Sequence, residues 1–325
     1  MLKNVLVTGG AGYIGSHTCK ILKQNGFLPI TFDNLSTGHR EFVKWGPLFE
    51  GDLLNQSEID AAFDQYKIEL VMHFAAKAYV NESVNDPIKY YRENIQGSIN
   101  LLETSVKKNV KAIVFSSSCA TYGNSDYSLI HEKTPQEPVN PYGFTKLAIE
   151  KLIIDLELLH KFNYTILRYF NAAGADADLE IGEDHVNETH VIPLLLRAAS
   201  NNGIFKIYGQ NHKTHDGTAV RDYVHVSDIA FAHLRALQVM LDEERNIICN
   251  LGSGSGTSVL ELVNRIKLWK NDFTVQYEVS RNGDPSSLVS ANKLSRDILK
   301  IEYVNSNLDS ILESAISWHE RNIKH

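Results

Sequence analysis

One stretch limits the folds open to this chain more than any other. Residues 5–16 read VLVTGGAGYIGS: an apolar strand, a cluster of glycines, then helical spacing. Gly10, Gly12 and Gly15 satisfy G-x-G-x-x-G, and counted from Gly9 the same run reads G-x-x-G-x-x-G. A pyrophosphate can approach backbone only where no Cβ intervenes, and a helix N-terminus aims free N–H groups and a positive dipole end at it. A second apolar strand, 28–32, is followed by Asp33, at the spacing where a carboxylate takes adenosine ribose hydroxyls and repels a 2′-phosphate. The stretch predicts a strand–turn–helix site for NAD rather than NADP, with Arg40 near enough in sequence to leave this a preference. Residues 250–258, NLGSGSGTS, act as an internal control. There the third glycine position is Thr257, and Ser258 with Glu261 spells a capping box, so a capped helix entry suffices.

Apolar strands are expected at 5–7, 28–32, 70–74, 112–115, 164–167 and 247–249, with helical spacing at 58–66, 90–106 and 142–160 between them. Short, fully apolar strands alternating with helices mean a parallel sheet covered on both faces. After Asn171 the periodicity loosens. Residues 172–188 carry six acidic side chains and two glycines, and read as a long functional loop. Helices are expected again at 191–200, 227–241, 259–269 and 309–323. The fold class is therefore α/β: a Rossmann-like doubly wound parallel sheet over 1–175 and a smaller C-terminal α/β substrate domain over 176–325, with segments returning to the first.

Composition excludes several classes. Net charge of -7 leaves no basic stripe, so nucleic acid is not an expected partner. No apolar run approaches the ~20 residues that span a bilayer, so no membrane is expected. Cys19, Cys119 and Cys249 are few, odd in number and widely spaced, which reads as reduced thiols in a cytoplasmic protein. The first strand begins by Asn4, so no signal peptide is expected.

The second chemical signal is Tyr142-Gly-Phe-Thr-Lys146, the one Y-x-x-x-K in the chain. Pro141 suits a helix start, which sets Tyr142 and Lys146 one turn apart on one face. A phenol is a poor base at neutral pH, and a neighbouring ammonium favours its ionised form. The fourth strand runs out in Ser116-Ser117-Ser118, and ligands of open α/β sheets bind beyond the carboxyl ends of strands. A serine there can hydrogen-bond an oxygen whose charge changes. His185, His190, His212 and His215 lack a cysteine or H-E-x-x-H partner, and read as loop histidines rather than a metal site. Arg168 reads as structural.

Through these residues the chain resembles the extended short-chain dehydrogenase/reductase superfamily, and within it the UDP-glucose (UDP-galactose) 4-epimerase family. The likeness runs through VTGGAGYIGSH at 7–17, DNLSTGH at 33–39, EGDL at 50–53, HFAA at 73–76, FSSSCATYG at 115–123 and NPYGFTK at 140–146. It continues through LRYFNAAGA at 167–175, IGED at 181–184, ETHVIP at 188–193, DGTAVRDYVHV at 216–226 and RNGDP at 281–285. The resemblance implies an NAD-dependent isomerase that oxidises a UDP-sugar at C4, lets the 4-keto sugar turn over, and reduces it on the other face. It implies that Tyr142 takes the 4-hydroxyl proton, Lys146 holds the nicotinamide ribose, and Ser118 hydrogen-bonds the 4-oxygen. Cofactor contacts are implied for Gly9, Gly12, Tyr13, Ile14, Gly15, Asp33, Asn34, Asp52, Leu53, Phe74, Ala75, Ala76, Asn94 and Phe170. Sugar-nucleotide contacts are implied for Asn171, His190, Val191, Arg221, Arg281, Asp284 and Leu288, with no metal. A homodimer is implied through 90–106 and 142–160, where Leu147, Leu152, Ile154 and Leu158 offer an apolar face.

Three rivals stand beside this reading. A nucleotide-sugar 4,6-dehydratase needs carboxylates beside the serine, where this chain has Ser118-Cys119-Ala120 and no acid. A 4-epimerase of UDP-arabinose/xylose or of UDP-N-acetylhexosamines keeps the chemistry and changes the sugar. Leu288, standing where relatives restricted to glucose and galactose carry a tyrosine, favours some activity on N-acetylhexosamines. A non-catalytic dinucleotide sensor would have no use for the Ser118, Tyr142 and Lys146 set. Thr121 is displaced by one position from the family pattern and is given no catalytic role.

Overall fold

The computed structural model describes residues 3–125, 127–281 and 285–323. Its strands, in chain order, are β1 (Lys3–Thr8), β2 (Phe27–Asp33), β3 (Leu48–Glu50), β4 (Leu70–His73), β5 (Ala112–Ser118), β6 (Asn163–Tyr169) and β7 (Asn171–Ala173). They continue with β8 (Ile204–Tyr208), β9 (Val220–His225), β10 (Ile247–Leu251), β11 (Gly256–Ser258), β12 (Thr274–Glu278) and β13 (Ser287–Leu288). Among the described residues seven of these form one parallel sheet in the order β10-β6-β5-β4-β1-β2-β3. The chain runs outward from β1 through β2 and β3, then returns to lay β4 on the other side of β1. The crevice beyond the carboxyl ends of β1 and β4 is thus the switch point where such sheets bind ligands.

Side-chain alternation explains why both faces are covered. Val5 and Val7, with Leu70, Met72, Val114 and Leu167, face the helices Tyr13–Gln24 and Val226–Glu243. Leu6, with Ile30, Phe32, Val71, Ile113, Phe115 and Ile166, faces the helices Gln56–Tyr66, Gly97–Lys107 and Pro141–His160. The doubly wound α/β expectation is met. β10 joins this sheet beside β6, from well beyond the first half of the sequence. A smaller assembly stands over the carboxyl ends. In it β9 pairs with β7, β11 and β13, and β8 pairs with β12. The helices Val191–Ser200, Val259–Trp269 and Leu308–Ile323 supply its apolar core, including Leu195, Leu262, Ile266 and Ile311.

The elements differ from expectation in three informative places. The strand expected over 70–74 stops at His73, because the Phe74 and Ala75 N–H groups both turn onto the Thr8 carbonyl, each at 3.0 Å. The helix expected over 90–106 is Pro87–Tyr90, a π-helical Tyr91–Gln96 and then Gly97–Lys107. The widened turn carries Asn94, which bonds the Lys77 N–H (2.8 Å), the Lys77 carbonyl (3.0 Å) and Thr145 Oγ1 (3.1 Å). Residues 172–188 are not wholly loop: Asn171–Ala173 forms β7, in register with Tyr223–His225 of β9.

Candidate active site

A cavity of about 630 Å³ opens at the switch point. Its floor is the glycine turn after β1. A Cβ on Gly15 would lie 2.2 Å from the Gly9 carbonyl oxygen, so the turn and the first helical residues can close together only without one. The Tyr13–Gln24 helix starts from Gly12, with no side-chain cap and no acid in its first turn. Its leading N–H groups therefore face the cavity as an anion site. Asp33 ends β2, its carboxylate accepting from the Ala11 N–H (3.0 Å) and the Leu35 N–H (2.9 Å). Burial raises the Asp33 pKa, and those two N–H groups oppose the rise. Arg40 pairs with Glu50 on the exposed surface. Asp52 accepts from the Asn34 side-chain amide at 2.9 Å. These features fit a dinucleotide: a cradle that a Cβ would fill, an uncapped helix start and a carboxylate beside it.

The catalytic helix is set by its own cap. The Asn140 side chain accepts from the Gly143 N–H at 2.8 Å, and Pro141 takes the first helical position. A Cβ at Gly143 would sit 2.4 Å from the Ala120 carbonyl oxygen, so glycine there lets the helix press against the Cys119–Tyr122 turn that follows β5. That contact brings Tyr142 and Lys146 to Ser118 on one wall of the cavity. Lys146 Nζ donates to the Ser116 carbonyl at 2.7 Å and lies 5.9 Å from the centre of the Tyr142 ring. Burial pulls the Lys146 ammonium down to about 7, with Glu150 opposing. Burial likewise pushes the Tyr142 phenol up to about 12, against the pull of the Ser118 side chain. From the sequence the lysine is expected to depress the phenol. In this protein burial sets the direction and is opposed by the Ser118 side chain rather than by Lys146, whose ammonium donates to a backbone carbonyl.

The cavity collects nearly every residue expected at the site. Gly9, Gly12, Tyr13, Ile14, Gly15, Asp33, Asn34, Asp52, Leu53, Phe74, Ala75, Ala76 and Phe170 line it. So do Ser118, Tyr142, Lys146, Asn171, His190, Val191, Arg221, Arg281 and Leu288. Asn94 does not: it is buried behind the wall, where it fixes the Lys77 backbone. Asp284 lies outside the described residues. The Arg281 guanidinium stacks 3.9 Å from the Tyr208 ring centroid, and Leu288 sits in register with Arg221 across β13 and β9. Thr121 points away, its hydroxyl donating to the Ser118 carbonyl at 2.9 Å. Cys119 is on the wall, and burial pushes its thiol up to about 12, which keeps it unreactive.

Other contacts of the wall are not visible in the sequence. Lys77 Nζ donates to Ser36 Oγ at 2.9 Å, and the Tyr13 hydroxyl donates to the Gly174 carbonyl at 2.6 Å. Glu183 and His185 also face the cavity, next to His190. Burial works to lower the His190 imidazole, but the carboxylates of Glu183 and Glu188 prevail and raise it to about 10. The second glycine loop does cradle an anion, an internal one. Ser253 N–H (2.8 Å), Gly254 N–H (3.0 Å) and Ser290 N–H (3.1 Å) converge on the buried Asp222 carboxylate. The expected capping box is present, Ser258 and Glu261 exchanging both bonds. Arg168 is structural: it is locked to buried Glu150 at 2.6 Å and to the Tyr122 hydroxyl at 2.9 Å.

Comparison with known proteins agrees with this geometry. Residues 5–252 match the family model of the NAD dependent epimerase/dehydratase family. A UDP-glucose 4-epimerase from Rhizobium meliloti is 46% identical over 320 residues, covering 98% of this chain and 97% of that protein. The crystal structure of UDP-glucose 4-epimerase from Brucella ovis in complex with NAD superposes with a TM-score of 0.94 at 44% identity, covering 97% of this chain and 98% of that one. A UDP-glucose-4-epimerase from Stenotrophomonas maltophila, with bound NAD and formylated UDP-arabinopyranose, gives 0.94 at 35% identity and 99% coverage of both chains. No helix among the described residues is long and apolar enough to cross a membrane. On the glycine turn, the Ser118–Tyr142–Lys146 wall and these likenesses together, the chain belongs to the NAD dependent epimerase/dehydratase family.

Proposed function

We propose that the protein interconverts UDP-glucose and UDP-galactose by inverting C4, with NAD as a resident cofactor. The observation that carries this reading is the meeting of Tyr142, Lys146 and Ser118 on the same cavity as the uncapped glycine turn. Bound NAD supplies a reversible two-electron acceptor for the sugar C4–H. The chain supplies the rest. Backbone N–H groups at the start of the Tyr13–Gln24 helix hold the pyrophosphate, and Asp33 holds the adenosine ribose. The Tyr142 oxygen takes the proton of the 4-hydroxyl and returns it after the sugar has turned. The Ser118 hydroxyl steadies the 4-oxygen while its charge changes. Lys146 holds the nicotinamide ribose, and Arg221 and Arg281 clamp the diphosphate of the UDP-sugar. Asn94 acts through the Lys77 backbone.

We assign cofactor binding to residues 1–175 and UDP-sugar binding to 176–325, and place the protein in the cytoplasm. A homodimer is proposed through the π-interrupted helices and Pro141–His160. Leu147 is buried and Leu152 and Ile154 pack partly against the sheet core, while Leu158 is exposed, so the contact falls to Leu158 and to exposed Ile88, Tyr91, Ile99 and Phe144. A second reading adds UDP-N-acetylhexosamines as substrates. It rests on Leu288, a side chain on the cavity wall with neither the bulk nor the hydroxyl of tyrosine. The test is to mix purified protein with UDP-galactose or UDP-N-acetylglucosamine and follow the C4 epimer by chromatography. Absence of UDP-glucose from the first mixture overturns the main reading, and absence of epimer from the second overturns the extension.

A further inference from the structure

The loop before the Val191–Ser200 helix holds a cluster to which the proposed reaction gives no chemical step, although His190 within it is also an expected sugar-nucleotide contact on the cavity wall. Glu183, His185, Glu188 and His190 bring one ligand atom each to within 4.8 Å of all the others. His190 Nδ1 stands 2.9 Å from Glu183 Oε1 and 2.9 Å from Glu188 Oε1. His185 Nδ1 stands 3.2 Å from Glu188 Oε2 and 3.6 Å from Glu183 Oε1. A tetrahedral zinc with bonds of ~2.0 Å separates its ligand atoms by ~3.3 Å, the middle of this range. From these contacts we propose that the four side chains form a binding site for one divalent transition-metal ion, Zn²⁺ in preference to others.

Charge and hydrogen bonding point the same way. The Glu183 and Glu188 side chains are 8% and 1% exposed, so two carboxylates are buried around one point. Buried carboxylates need a compensating cation. The neighbouring acidic cluster has one: Lys20 Nζ reaches Asp176 and Asp178 at 2.7 Å and Glu180 at 2.8 Å. Among the described residues no lysine or arginine pairs with Glu183 or Glu188. Glu188 Oε1 accepts from the Thr189 and His190 N–H groups, each at 2.7 Å, which bring no formal charge, and a proton on His190 provides one positive charge and one Nδ1–H facing two carboxylate oxygens at equal distance. A divalent ion provides two charges and bonds to all four side chains. The donor set of two imidazoles and two carboxylates suits zinc, and four protein ligands leave no open position. The ion is therefore structural. It closes a loop that is already anchored by the Trp318 indole on the Glu183 carbonyl (3.1 Å) and by His39 on the Asp184 carbonyl (2.8 Å). Closing it fixes the start of the helix that carries Val191 along the cavity wall.

The experiment uses untagged full-length protein, stripped with chelating resin, given a slight excess of Zn²⁺, desalted and measured by plasma emission. One zinc per chain is expected, with an X-ray absorption spectrum showing two imidazole and two carboxylate ligands. Glu188→Gln and His185→Gln should each weaken Zn²⁺ binding by at least ~10-fold, while His212→Ala keeps it. Retention of NAD and an unchanged circular dichroism spectrum show that the variants are folded. If the wild type holds less than about a tenth of an equivalent, or its bound zinc lacks imidazole ligands, the cluster is a protonated ion-pair network and the proposal fails. Wild-type zinc retention in both glutamine variants overturns it equally.

Discussion

Removing the Tyr142 hydroxyl isolates the proton-transfer step from everything else the cavity does. The phenol is pushed up to about 12 by burial. Ionising it at pH 7 then costs about 7 kcal/mol, against about 4 kcal/mol for a phenol in water. The net effect of the site thus adds about 3 kcal/mol, which the charges brought by cofactor and Lys146 must offset for Tyr142 to act as a base. Tyr142→Phe keeps the ring and its packing but leaves no oxygen to accept the proton. The expected loss is ~10²- to 10⁴-fold in turnover of UDP-galactose, the usual contribution of a positioned base. Stability should change by no more than about 1 kcal/mol, since no buried contact of the ring is removed. The assay couples UDP-glucose formation to its oxidation by a dehydrogenase, while NAD released on denaturation is counted separately. Turnover within tenfold of wild type, with NAD still bound, would refute the assignment of the base.

Three further outcomes follow from particular contacts. Gly15→Ala should abolish NAD retention or destabilise the fold, because the new Cβ would lie 2.2 Å from the Gly9 carbonyl; equilibrium dialysis and thermal melts check both, and wild-type values in each would contradict the packing. Leu288→Tyr should depress turnover of UDP-N-acetylglucosamine far more than that of UDP-galactose, and equal losses would remove Leu288 as a specificity residue. His73, His17 and His233 are pulled by burial to about 3, 4 and 4 respectively, below the unfolded value near 6.5. In the window from 6.5 down to about 4 the unfolded chain alone takes up these protons. Stability should therefore fall between pH 7 and pH 5, by about 2 kcal/mol per histidine, and a flat or rising profile at saturating NAD would count against it.

Local signals were legible where a residue acts through its own neighbours in the chain. The glycine turn, the Pro141 helix start and the Ser258–Glu261 box each depend on spacings of a few residues, and each is found where expected. Features fixed by distant partners were not legible. The π turn at Tyr91–Gln96 is held by Asn94 reaching Lys77 and Thr145, and β7 exists because β9 arrives beside it. The second glycine loop carries no hint that Asp222 will fill it. His185 and His190 have no cysteine or H-E-x-x-H neighbours in the chain, and the sequence marks His190 only as a sugar-nucleotide contact implied by the family likeness. Glu183 and Glu188, which converge on them, lie inside motifs read for their family likeness alone. The pairing of Lys146 with the Ser116 carbonyl belongs to the same class, since it needs β5 and the catalytic helix in contact.

The central claim is that the hydrogen at sugar C4 leaves and returns within one cavity, with Tyr142 handling only the oxygen-bound proton. Supplying UDP-galactose deuterated at C4 in ordinary water tests this directly. The account predicts UDP-glucose that keeps its deuterium at C4; product that has exchanged that deuterium for solvent hydrogen would contradict it.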